Sequence, residues 1–153
     1  MDINFQLVTA SGNPPSENDF GIWVTAALNH IAEDFDSASL CIRIVDEEEI
    51  TELNRNYRNK DGSTNVLSFP QQIPDYISEF TKEKSLGDIL LCAPVVEREA
   101  TEQKKESTAH WAHLTVHGVL HLLNYDHETS DEASHMESLE IAILHQLGFA
   151  NPY

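Results

Sequence analysis

The chain has 153 residues, 41% of them hydrophobic and 23% charged, with 26 Asp and Glu against nine Lys and Arg for a formal net charge of −17. That length makes one domain, 1–153, which hides about two-thirds of its unfolded surface on folding. The acidic balance argues against a protein that grips nucleic acid over a broad face, no segment approaches the roughly 18 apolar residues of a membrane span, and the first residues lack the basic start and apolar run of a signal peptide; neither DNA nor a membrane is an expected partner.

In chain order, residues 3–8 read as a strand, and Ser11-Gly-Asn-Pro-Pro15 as a turn. Ser16 and Asp19 form a box-like start for a helix to about residue 34, with Phe20, Trp23, Val24, Ala27, Leu28 and Ile31 on one apolar stripe. Residues 40–45 are a second strand. Asp46 with Glu49 predicts a capped start for the next helix, which has acids in its first turn and Arg55 and Arg58 near its end. After the turn Lys60-Asp-Gly-Ser-Thr64 comes a short strand over 65–69, closed by Pro70. Residues 71–84 lack clean periodicity and read as a loop, and 86–92 as a fourth strand. Pro94 opens a helix ending in Lys104 and Lys105, Ser107 caps a histidine-bearing helix, and Thr129 with Glu132 opens a last helix stopped by Gly148. The order predicts an α+β fold: a four-stranded mixed sheet packed with helices, and a C-terminal helical hairpin. Cys41 and Cys92 sit in strand-like apolar runs and read as free thiols, which suits a reducing cytoplasm.

The most informative stretch is His117-Gly-Val-Leu-His121-Leu-Leu-Asn124-Tyr-Asp126-His127. On a helix His117 and His121 lie one turn apart, roughly 6 Å along the axis, so both rings can converge on one ion about 2 Å from each nitrogen. His127 must return from beyond the helix end, and Asn124 tolerates the left-handed conformation that such a reversal needs. Three imidazoles with a fourth position open to water form a catalytic rather than a structural metal site. Zinc is the default ion, although nickel, copper and iron also accept imidazoles. His110 and His113 share the same stripe, and His113 makes a second i, i+4 pair with His117; they are expected to pack, to line the cleft or to support the ligands. His30, His135 and His145 have no partner at ligand spacing. Asp126 can orient a ligand ring, act as a base, or simply accept backbone N–H bonds.

The ligand spacing equals that of the metzincin peptidases, H-E-x-x-H-x-x-G-x-x-H, with two differences. Asn124 stands for the turn glycine, a mild change. Gly118 stands for the glutamate general base, and without it a peptidase loses its proton acceptor. Charge points elsewhere: residues 53–74 carry three cations, Arg55, Arg58 and Lys60, against the single acid Asp61, a local cationic strip on an acidic body. An arginine fork suits phosphate oxygens. Tyr57 and Phe69 can stack on unpaired bases, although aromatics beside strands more often belong to the core.

The signature His117-Gly-x-Leu-His-Leu-x-x-Tyr-Asp-His127 resembles that of the YbeY family of metal-dependent endoribonucleases, which act in rRNA maturation and ribosome quality control. Tyr57-Arg58, Thr64-Asn-Val-Leu-Ser-Phe-Pro70 and Leu86-Gly-Asp88-Ile agree in order and spacing, so the resemblance covers nearly the whole chain. Asn124 departs from a pattern that more often has glycine. The resemblance implies that His117, His121 and His127 hold one divalent ion, most readily zinc, and that Arg58 is the catalytic arginine. It implies single-strand cleavage at the 3′ end of small-subunit rRNA, with rRNA and small-subunit ribosomal proteins or assembly factors as partners. The competing expectations are a non-catalytic ribosome assembly factor with a structural metal, and a small metallopeptidase-like hydrolase.

Overall fold

The computed structural model describes residues 2–10, 12–31, 38–71 and 84–153. Its elements run β1 (Asp2–Leu7), α1 (Glu17–Ile31), β2 (Ala38–Val45), α2 (Glu47–Arg58), β3 (Val66–Pro70), β4 (Lys84–Cys92), α3 (Ala93–Glu102), α4 (Ser107–Leu122) and α5 (Ser130–Gln146). The strands form one sheet in the order β1-β2-β4-β3, with β1, β2 and β4 parallel and β3 antiparallel at the outer side of β4. This is the α+β fold with a four-stranded mixed sheet that the sequence predicts. The stretch 71–84, read as a loop, lies from 72 to 83 outside the described residues, as does the predicted extension of α1 beyond Ile31.

Strand alternation divides the apolar residues between two faces. Leu40, Ile42 and Ile44 of β2 and Ile89 and Leu91 of β4 meet α1 and α4 in the main core. Trp111 of α4 is fully buried there, edge-on to Phe20 of α1 at 6.0 Å, and its indole N–H donates to Glu97 at 2.7 Å. That bond satisfies the one polar atom which such a deep aromatic carries. On the opposite face Val45, Leu67, Leu90 and Cys92 pack under Ile50 of α2 and Val95 of α3. The histidine helix α4 therefore lies flat on the sheet, with Val116, Val119 and Leu120 fully buried. No described helix is long and apolar enough to cross a membrane.

Helix starts follow local rules where no stronger partner competes. Ser16 and Asp19 exchange reciprocal bonds of 3.2 Å, and Thr129 accepts from the Glu132 N–H at 3.1 Å. Two predicted caps are not formed. Asp46 occupies the N-cap of α2 without a side-chain cap bond; its carboxylate instead accepts from the Thr9 hydroxyl and the Ala10 N–H. Glu49, its expected partner, is held at 2.6 and 2.9 Å by the guanidinium of Arg43. Ser107 is the first residue of α4 rather than its cap, and its hydroxyl donates to Glu97 at 2.9 Å. For Ser107 a charge-assisted bond to a carboxylate outweighs a neutral one to a backbone amide; the Asp46 carboxylate is drawn off by two donors from the segment after β1.

One glycine sets the sheet edge beside the site. Gly87 pairs with Pro70 and has φ +128; a Cβ there would sit 2.1 Å from the Phe69 carbonyl oxygen. Only glycine allows β3 to approach that closely.

Candidate metal centre

His117 and His121 occupy the last turns of α4, which end in the predicted reversal. Asn124 has φ +70, its N–H donates to the His121 carbonyl at 3.0 Å, and the Tyr125 N–H reaches back to Leu120 at 3.0 Å. These are the paired bonds of a Schellman turn, with Asn124 in the left-handed position. The reversal carries His127 back over the helix end. Nε2 of His117 and Nε2 of His121 lie 3.0 Å apart, and one ring nitrogen from each of the three histidines falls within 4.8 Å of the others. Tetrahedral coordination at zinc–nitrogen distances needs ligand nitrogens roughly 3.3 Å apart, so the trio has the chemistry and the spacing to hold an ion.

The orientation of His117 is set from behind. Its Nδ1 lies 2.6 Å from Oε1 of Glu140, a fully buried carboxylate on α5. Burial alone would raise the Glu140 carboxyl, but bonds from His113 and His117, the nearby charge of His117 and the Tyr153 hydroxyl hold it down at about 2. Glu140 is therefore an anion that only accepts, and His117 carries its proton on Nδ1. The ring is thereby held with Nε2 turned towards His121, 3.0 Å away, the atom that would ligate an ion shared with His121 and His127. His121 is pushed down to about 4 by burial and by its neighbours His117 and His127, which keeps its ring neutral and available.

Glu140 has further partners. The Tyr153 hydroxyl donates to Oε2 at 2.5 Å, and Nε2 of His113 lies 3.5 Å from Oε1 and 3.3 Å from the Tyr153 oxygen. Burial and the bond to Glu140 push the Tyr153 hydroxyl well above its ordinary value. His110 makes a parallel connection, 3.0 Å from Glu99, which also accepts from the Asn65 amide at 3.0 Å. Both extra histidines of the stripe are buried and lie against carboxylates, His110 on Glu99 and His113 near Glu140, apart from the cluster of His117, His121 and His127. Glu140, Tyr153 and Glu99 were not singled out from the sequence. Glu140 left a signal there: it falls on the apolar stripe of α5 formed by Met136, Ile143 and Leu144, where an acid must have partners.

The histidines open into a cleft of about 450 Å³. Besides the histidines it is lined by Thr64, Asn65, Val66, Ser68 and Pro70 from the β3 segment, by Asn124, Tyr125, Asp126 and Glu128 from the turn after α4, and by Arg58 at the end of α2. Arg58 is delivered there because α2 stops at Asn59, a left-handed cap with φ 54, and the Asn54 amide ties down the following turn at Gly62 with a 3.0 Å bond. Of the predicted cationic strip only Arg58 lines the cleft; Arg55 and Lys60 are exposed outside it. Tyr57 and Phe69, edge-on at 5.6 Å, line a separate hollow with Cys41, Arg43 and Asp88. The Asp126 carboxylate accepts from the His127 backbone N–H at 2.8 Å, the simplest of its three expected roles.

Gly118 has a packing reason. A Cβ at that position would meet Cγ2 of Ile89 at 2.9 Å and Oγ of Ser68 at 3.2 Å, and Ser68 donates to the Gly118 carbonyl at 3.3 Å. The helix lies too close to the sheet to carry a glutamate side chain there.

The comparisons with known proteins agree with one another. The family model described as Endoribonuclease YbeY matches residues 9–148. An Endoribonuclease YbeY from Coxiella burnetii is 49% identical over 154 residues, covering 100% of this chain and 98% of that protein. Another, from Nitrosococcus oceani, is 46% identical over 153 residues, covering 100% and 97%. A Thermotoga maritima protein solved in solution shares the fold, with a TM-score of 0.58, 22% identity and coverage of 98% and 97%. A family match across most of the sequence, joined to full-length relatives near half identity, is decisive: the chain belongs to the YbeY endoribonuclease family.

Proposed function

We propose that this chain is a metal-dependent endoribonuclease of rRNA maturation that cleaves single-stranded RNA in the cleft shared by Arg58 and the three histidines. The observation that carries this reading is the placement of one guanidinium and three convergent imidazoles, from elements far apart in sequence, around the same cleft. His117, His121 and His127 would hold one divalent ion, with zinc as the best match to three imidazoles. Bound there, such an ion supplies Lewis acidity and an activated water.

The protein's own groups supply the rest. Arg58 offers a planar fork to the non-bridging oxygens of a phosphodiester and balances the charge that develops during cleavage. Glu140 keeps the His117 proton on Nδ1, so the nitrogen facing the cleft remains a lone-pair donor. The hydroxyls of Thr64 and Ser68 line the wall and can bond to sugar or phosphate oxygens. A cleft entered by one arginine on a body of charge −17 suits a strand presented by a larger assembly, which fits small-subunit rRNA with ribosomal proteins or assembly factors as partners, and a role at the 3′ end of that rRNA and in ribosome quality control. A cytoplasmic location follows from such a substrate and from two free cysteines. The peptidase alternative is disfavoured by Gly118, whose surroundings leave no room for the missing general base.

The test is cleavage of an unstructured RNA by the zinc-loaded chain, beside Arg58→Ala and His117→Ala. Activity that depends on both residues supports the reading; metal-dependent proteolysis without RNA cleavage would replace it.

A further inference from the structure

We infer that Tyr153 is a positioning residue for the metal centre, acting through Glu140 on His117. The inference rests on the reading that the histidine trio holds an ion. Three segments distant in sequence meet at one carboxylate. Glu140 has no exposed surface, and its two oxygens are divided: Oε1 takes the Nδ1–H of His117 at 2.6 Å, and Oε2 takes the Tyr153 hydroxyl at 2.5 Å. The phenol oxygen in turn lies 3.3 Å from Nε2 of His113, whose ring it meets edge-on at 5.3 Å. The phenol has a single O–H, which it donates to Oε2, so its oxygen is left to accept from His113, while Oε1 is within bonding distance of the Nδ1 of His117.

A carboxylate with one free oxygen could rotate about its last torsion, which is broad and roughly two-fold. Rotation would break its bond to His117 and release that ring to turn or to change tautomer. Tyr153 closes this freedom by engaging the second oxygen. Tyr153 as a residue is 60% exposed, so its burial contributes little to the core; its hydroxyl is the part with a buried partner. The tail that carries it is anchored by Lys105, whose ammonium donates to the Pro152 carbonyl at 2.9 Å, and by the Asn151 side chain, which accepts from the Tyr153 N–H at 2.8 Å. Groups behind metal-bound histidines fix ring orientation and ligand basicity, and their loss typically weakens metal affinity about 10- to 100-fold.

The experiment is titration of the metal-free full chain with Co²⁺, read by its visible absorption, for wild type, Tyr153→Phe, Glu140→Gln and the double variant. Far-UV circular dichroism checks the fold, and ¹⁵N shifts of the His117 ring report its tautomer without metal. Tyr153→Phe keeps the ring and the fold, lowers Co²⁺ affinity by about 3- to 10-fold, the worth of one hydrogen bond, and changes the cobalt spectrum. The double variant binds no worse than Glu140→Gln, because both act along one route. If Glu140→Gln does not fold, Tyr153→Phe carries the test by its affinity and by a mixed His117 tautomer. Wild-type affinity and an unchanged spectrum in Tyr153→Phe would overturn the inference, as would losses that add fully in the double variant. A wild type that binds Co²⁺ as expected yet cleaves no RNA refutes the nuclease reading and leaves the positioning role standing. A wild type that binds no Co²⁺ overturns both.

Discussion

Nδ1 of His117 and Oε1 of Glu140, 23 residues apart in sequence, lie 2.6 Å from each other at the buried seam between α4 and α5. The contact joins folding to function, because the same carboxylate that ties α5 to α4 decides which nitrogen of His117 faces the cleft. Its removal has a stability consequence. Glu140→Gln retains the shape but loses charge-assisted bonds to His117 and Tyr153, and should destabilise the metal-free protein by about 1–3 kcal/mol near neutral pH, measured by urea unfolding.

The sign of the pH dependence follows from the lowered carboxyl. Glu140 titrates at about 2 in the folded chain against an ordinary 4.5, so its contribution is complete above 4.5 and is lost as pH falls towards 2. Wild type should lose more stability than Glu140→Gln across that window. His121, held at about 4 against 6.5, acts in a higher window: the unfolded chain takes up a proton there that the folded chain refuses, so stability falls from pH 6.5 towards 4. His121→Gln should flatten that part of the metal-free curve. Parallel curves for wild type and variant would contradict either assignment.

Gly118 gives a prediction opposite to helix propensity. Alanine in a helix interior normally gains about 1 kcal/mol over glycine, but here its Cβ would press on Ile89 at 2.9 Å. Overpacking costs of about 1–3 kcal/mol should win, so Gly118→Ala lowers the melting temperature by a few degrees. A stabilised variant would show that α4 can lift from the sheet without loss.

Asn124 should behave as a conformational residue. Asn124→Gly keeps the left-handed turn and should change stability by less than about 0.5 kcal/mol with metal affinity intact. Asn124→Ala should cost about 1 kcal/mol, the penalty for a side chain without Asn's local tolerance in that region. Calorimetric unfolding of the two variants separates these outcomes.

Much of the site was legible because its information is local. The i, i+4 pair, the turn asparagine and the third histidine span eleven consecutive positions, and helix geometry alone brings them together. What sequence reasoning missed arrives through packing. Glu140 and Tyr153 reach His117 only because α5 and the segment after it fold back on α4, and nothing in the neighbourhood of His117 announces them. The misread caps at Asp46 and Ser107 fail for the same reason: a local rule pairs them with backbone amides, while Thr9 and Glu97 compete from across the fold. The cationic strip was legible in composition but not in reach, since Arg55, almost a full turn earlier on α2, stays outside the cleft that Arg58 lines at the helix end.

That single cleft arginine also bounds the electrostatics of RNA binding. Each phosphate neutralised on a single strand contributes about 0.7 to the slope of log affinity against log salt, so Arg58 with help from Arg55 and Lys60 gives a slope no steeper than about −2. Filter binding of an uncleavable RNA at several salt concentrations checks this. A slope that requires eight or more phosphate contacts would show a cationic surface elsewhere.

Cleavage of an unstructured RNA by the zinc-loaded chain is the most direct measurement, with metal content determined on the same samples. Wild type should cleave; Arg58→Ala should keep its metal and lose about 10²- to 10³-fold in rate, the usual effect of removing one group that stabilises developing charge; His117→Ala should lose both metal and cleavage. Variants that cleave as fast as wild type would contradict the assignment of chemistry to this cleft.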